Sequence, residues 1–151
     1  MKSLTIKSVM VIALVLSTAG LIAMLSLSSI QLGRVNSAAE SQQRLTDAML
    51  LLKDIRFHVV QIQQFLTDVS ATADPAGFDE ASQHLKDAQK GLDDLVAMAP
   101  EHKAQIMEMK ARIEALHKQG FLMAQAYMTS GRDAGNAIMK APDGFDTTSA
   151  A

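Results

Sequence analysis

A long uncharged run sets the strongest limit on what this chain can fold into. From Ser8 to Gly33 no Asp, Glu, Lys or Arg occurs, and Val9 to Leu32 consists mainly of Val, Ile, Leu, Ala and Met. A membrane-spanning helix needs about 20 apolar residues, whereas the apolar core of a secretory signal has only about 7–15. The run is therefore read as an uncleaved transmembrane helix over residues 8–33. The rival reading is a cleaved signal with its cut near Ser37-Ala38-Ala39. The Ser and Thr residues within the run are compatible with lipid, because a hydroxyl can bond back to its own helix carbonyls.

Charge around the run suggests an orientation. Lys2 and Lys7 precede it, while Arg34 and Arg44 follow it mixed with Glu40 and Asp47. The positive-inside bias puts residues 1–7 in the cytoplasm as a short tail. Residues 34–151 then lie on the far side of the inner membrane. They hold 16 acidic against 12 basic residues, leaving about −4 on this mildly acidic exported region. The whole chain carries −2 with a pI near 6.0, which argues against a nucleic-acid partner bound through phosphate neutralisation. Cysteine is absent, which excludes disulfides, thiolate metal sites, a Cys nucleophile and c-type haem attachment.

Beyond the apolar run the periodicity is helical. Ala38, Ser41, Leu45, Ala48, Leu52, Ile55, Val59, Ile62, Leu66 and Val69 recur in steps of three and four, a heptad seam. No Gly or Pro lies between Arg34 and Asp74, so the membrane helix is expected to continue unbroken to about Thr72. Its exported part would then extend roughly 55–60 Å. Asp74-Pro75-Ala76-Gly77 is the first breaker, with Asp and Pro suited to a helix start. A second seam follows at Phe78, Ala81, Leu85, Ala88, Leu92, Leu95 and Ala99. After Pro100 a third runs through His102, Ile106, Met109, Ile113, Leu116, Gly120, Met123 and Tyr127. Ser130-Gly131 ends it, and Asp133 to Lys140 form a short helix before Ala141-Pro142-Asp143-Gly144 breaks the chain again.

The expected fold is all-α. The N-terminal transmembrane helix continues into an antiparallel up-down bundle. Three seams need a fourth face, and the chain stops at Ala151 soon after Phe145-Asp146. The fourth helix is therefore read as incomplete, or the core as completed by another chain.

These features resemble the N-terminal sensory region of bacterial methyl-accepting chemotaxis receptors with a four-helix-bundle ligand domain. The order of basic tail, membrane helix and exported helical bundle is one basis. The segment Asp54-Ile55-Arg56-Phe57-His58-Val59-Val60-Gln61-Ile62-Gln63-Gln64-Phe65-Leu66-Thr67-Asp68-Val69-Ser70-Ala71-Thr72 is similar to the first-helix signature of one receptor subgroup. Ala134-Gly135-Asn136, Met139 and Phe145-Asp146 are similar to the entry into that family's fourth helix. The resemblance implies a homodimer that senses a ligand outside the cytoplasm. It also implies a second membrane helix, a HAMP linker and a cytoplasmic signalling coiled coil, none of which this sequence contains. The alternative is a bitopic, membrane-anchored helical adaptor.

Candidate ligand contacts follow a polar stripe beside the first seam: His58, Gln61, Phe65, Asp68 and Thr72. Imidazole, amide, carboxylate and hydroxyl groups at this spacing can hydrogen-bond a small polar ligand or a partner helix. Asp54 with His58, and Glu80 with His84, are four residues apart and read as surface pairs on one helix face, with pH or metal sensing as the other possibility. Glu114-Ala115-Leu116-His117 spells E-x-x-H, but a di-iron bundle needs two such pairs and two further Glu residues. No metal site, no cofactor and no enzymatic activity is therefore expected. The exported Met residues (Met49, Met98, Met107, Met109, Met123, Met128 and Met139) read as core filling. No G-x-S-x-G, Walker A or G-x-G-x-x-G motif occurs.

Overall fold

The computed structural model describes residues 6–150, and within them every regular element is helical. Helix α1 runs Ile6–Thr72, α2 Ala76–Met98, α3 Lys103–Ser130, α4 Arg132–Met139 and α5 Phe145–Ala150, with a single 3-10 turn at Pro100–His102. The fold is all-α. Lys2 of the expected cytoplasmic tail lies outside the described residues. Helix α1 passes through Gly33 and Ser41 without interruption.

The chain divides into two compact units, Met1–Leu45 and Thr46–Ala151. In the first, large apolar side chains from Ile6 to Val35 are exposed, and α1 is long and apolar enough near its N-terminus to cross a membrane. Four hydroxyls in this stretch bond their own helix: Ser17 and Thr18 donate to the Leu14 carbonyl, Ser26 to Ile22 and Ser29 to Leu25.

The second unit holds the core. Ile55, Ile62 and Leu66 of α1 pack with Ala81, Ala88, Leu92 and Leu95 of α2 and with Ile106 and Ile113 of α3. Removing one such Leu or Ile side chain from water stabilises the fold by about 1.5–3 kcal/mol. Ala81 and Ala88 are small, so α2 can approach α1 closely. A Cβ built on Gly77 meets Val69, and one built on Gly91 meets Ile55, so α2 runs antiparallel to this part of α1. Helix α3 runs antiparallel to α2, as Gln89 bonds Glu114 and Asp93 pairs with Lys110. A smaller cluster of Leu116, Met123 and Phe145 joins α3 to α5, with Tyr127, Ile138 and Met139 packed against it.

The breakers stand at the helix boundaries, although Pro75 is the residue before α2 and not its first helical residue. Asp74 Oδ1 accepts the Ala76 N–H at 3.0 Å, which supplies a partner for an otherwise orphan donor at the start of α2. Pro100 opens the 3-10 turn. Gly131, at φ 82°, separates α3 from α4. The first seam is buried only in part. Ile55, Ile62, Leu66 and Val69 are buried, but Leu45 and Leu52 are 66% and 40% exposed. Ala38 and Ser41 are exposed as well. The seam defines a face, and this chain covers only its far end.

Candidate functional site

The polar flank of α1 meets α2 at a pair of histidines. Ile55 and Ile62 point into the core, which places His58 and Phe65, three residues after each, on the side that α2 passes. On α2, His84 lies between the buried Ala81 and Ala88. The result is a contact between positions 26 apart in sequence: His58 Nδ1 lies 2.8 Å from His84 Nδ1. Such a bond needs one ring as donor and the other as acceptor.

Aromatic rings fix the pair. Phe65 stacks on His84 at 5.5 Å between centroids and 18° between planes. Phe57 meets His58 edge-on at 5.4 Å and His84 at 6.0 Å. The far nitrogen of His58, Nε2, lies 3.7 Å from Asp54 Oδ2. One turn along α2 from His84, the Asp87 carboxylate approaches the same pair, and one ligand-type atom each from His58, His84 and Asp87 lie within 4.8 Å of one another. Gln83 Nε2 donates to Asp87 at 3.2 Å. Beside them is a cavity of about 250 Å³ bordered by Leu51, Asp54, His58, Asp87, Lys90 and Asp94.

The expected five-residue stripe therefore divides. His58 and Phe65 belong to the histidine junction. Phe65, Asp68 and Thr72 line a second cavity of about 470 Å³ with Asp74, Gly77 and Glu80. Thr72 Oγ1 is partly engaged there, since it donates to the Asp68 carbonyl at 2.7 Å. Gln61 is half-buried and borders neither cavity as described. The surface pairing expected for His84 gives way to its contact with His58. His84 and Asp87 were absent from the expected site, although their i,i+3 spacing on one helix was a usable signal.

Elsewhere the E-x-x-H residues diverge. Glu114 accepts a hydrogen bond from Gln89 at 2.6 Å, while His117 Nε2 lies 3.4 Å from Ser82 Oγ. Burial lowers the pKa of the His117 imidazole below its ordinary value. The reading of the methionines as core also needs correction. Met123 is buried, but Met49, Met98, Met107 and Met109 are exposed, because they stand off the covered part of each seam. An apolar groove of about 340 Å³ opens between α1 and α3 beside α5. Leu52, Ile55 and Val59 line it with Met109, Ile113 and Leu116, beside Thr148 and Ser149 of α5. Comparison with protein-family models, curated proteins and solved structures finds no match.

Proposed function

We propose that this chain is the ligand-sensing, extracytoplasmic region of a bacterial methyl-accepting chemotaxis receptor. In this reading the apolar stretch of α1 spans the inner membrane with its N-terminus in the cytoplasm. The helical unit lies in the periplasm as part of a homodimer. A small polar ligand held along the flank from His58 to Thr72 would favour one helix packing over another. That differential affinity would shift the helices by about 1–2 Å.

One observation carries the reading. A single helix, α1, holds both the apolar stretch and the side chains His58 and Phe65 that meet α2. The exposed seam residues Leu45 and Leu52 give the dimer a surface to use. The groove beside Leu52 and Ile113 favours the second reading, an adaptor that takes a partner helix.

Cysteine is absent, so introduced cysteines are unique reporters. In bacterial membranes, Leu45→Cys and Leu52→Cys should each form disulfide-linked dimers on oxidation. A cysteine at the exposed Ser130 should react with an impermeant maleimide from the periplasmic side. Chains that stay monomeric, or that label only after lysis, overturn the receptor reading. Crosslinks to a different protein in place of self-crosslinks support the adaptor.

A further inference from the structure

We infer that His58, His84 and Asp87 form a binding site for a divalent transition-metal ion of the zinc, cobalt, nickel and copper class. The inference goes beyond the receptor reading and does not depend on it, since all three residues belong to the unit Thr46–Ala151.

The donors converge from two helices. The two Nδ1 atoms, 2.8 Å apart, are slightly closer than a tetrahedral ion requires. With metal–nitrogen bonds of about 2.0–2.1 Å, the two nitrogens would stand about 3.3 Å apart. Opening the pair by about half an ångström is within the rotamer freedom of two half-buried rings. Asp87 follows His84 by three residues, so its carboxylate rises on the same helix face. The three groups already share a sphere in which every ligand atom lies within 4.8 Å of the others.

The surroundings match those of a metal-ligating histidine. Such a histidine commonly donates its other ring N–H to a carboxylate, which fixes the tautomer and raises ligand basicity. Asp54 Oδ2 lies 3.7 Å from His58 Nε2, beyond hydrogen-bond distance but on the side where such a carboxylate stands, and its charge favours the proton on Nε2. His58 Nδ1 is then a lone pair, and the His84 Nδ1–H is the donor of the present hydrogen bond. Metal binding would move the His84 proton from Nδ1 to Nε2 and replace the hydrogen bond by two coordinate bonds. Phe65 stacks on His84, and Phe57 meets both rings edge-on.

Donor chemistry selects the ion. Two imidazoles and one carboxylate suit borderline ions such as zinc. Calcium and magnesium demand oxygen ligands throughout. Three protein donors leave a fourth position open, as at exchangeable sites. The adjoining cavity, bordered by Asp54, Asp87, Lys90 and Asp94, provides the approach for that fourth ligand.

The test uses the full chain purified without a histidine tag, stripped with a chelator and titrated with cobalt(II) and with zinc(II) against a chromophoric indicator. One equivalent should bind, and cobalt should show the intense visible absorption of four-coordinate geometry. His58→Gln and His84→Gln should each weaken zinc binding at least tenfold, and Asp54→Asn by about tenfold. His102→Gln, an exposed histidine away from the junction, should leave it unchanged. Circular dichroism checks that each variant keeps its helices. If a histidine variant does not fold, Asp87→Asn takes its place and should also weaken binding at least tenfold. Absence of stoichiometric binding, or equal loss in His102→Gln, overturns the site.

Discussion

Gly91 of α2 sits against Ile55 of α1, so close that a Cβ on Gly91 would come within 2.7 Å of Ile55 Cγ1 and 3.6 Å of Leu51 Cδ1. This position lets the two helices approach one turn from His58 on α1 and two turns from His84 on α2. Gly91→Ala gains helix propensity of about 1 kcal/mol but must push Ile55 aside, at a cost of about 1–3 kcal/mol. The expected net effect is a loss of up to about 2 kcal/mol, read as a lower denaturation midpoint. Pairing it with Ile55→Ala should cost less than the two single losses added. Strict additivity would show that the two residues do not press on each other.

Stability should fall in mild acid because of His117. Its folded-state pKa lies below the ordinary value of 6.5, owing to burial. As pH drops through that value the unfolded chain takes up a proton that the folded chain still refuses, so the unfolded state gains. The loss begins as pH falls through about 6.5 and levels off below the folded-state pKa. Denaturation at stepwise pH should show this slope, and His117→Gln should flatten it. An unchanged slope in the variant would assign the effect to other groups.

The α3–α4 corner rests on Tyr127. Its hydroxyl donates to Asn136 Oδ1 and lies 4.0 Å from Met139 Sδ. Its ring covers Gly135, leaving no room there for a Cβ. Tyr127→Phe should cost about 1 kcal/mol. The loss should be local, seen as faster amide exchange over residues 132–139 with little change over α2. Gly135→Ala should release α4 more completely, because the ring itself must move. Equal protection in wild type and both variants would exclude this anchoring role.

Ala73 adopts φ 59° just past the end of α1, and its N–H bonds the Val69 carbonyl at 2.9 Å. This is the left-handed helix stop that usually employs glycine. Ala73→Gly should stabilise the unit by about 0.5–1 kcal/mol, since the strain of an L side chain in this region exceeds glycine's entropic cost. Thermal denaturation measures it, and a lower midpoint would contradict the assignment.

Local signals in the sequence marked the helices well. Asp74-Pro75, Pro100 and Gly131 stand at the observed boundaries, and the seam positions Ile62, Leu66, Leu92, Ile113 and Met123 are buried as their spacing implied. Periodicity could not reveal which part of a seam finds a partner. Leu45 and Leu52 have the same spacing as Ile62 yet remain exposed. The histidine junction was illegible for a related reason. His58 and His84 each looked like half of a local pair, and their meeting depends on the register that the turn at Ala73 imposes between α1 and α2. In an antiparallel hairpin, partners lie about equally far from the turn. Gly77 with Val69 and Gly91 with Ile55 obey that rule, and His58 with His84 fits it to within one turn.

The self-bonded hydroxyls of the first unit carry a further consequence. Ser17, Thr18, Ser26 and Ser29 each return their proton to a carbonyl of their own helix. An oily solvent would therefore meet no stranded donor at these four positions. Because donor and acceptor share one helix at each of the four, rotation of the stretch about its long axis breaks none of these bonds.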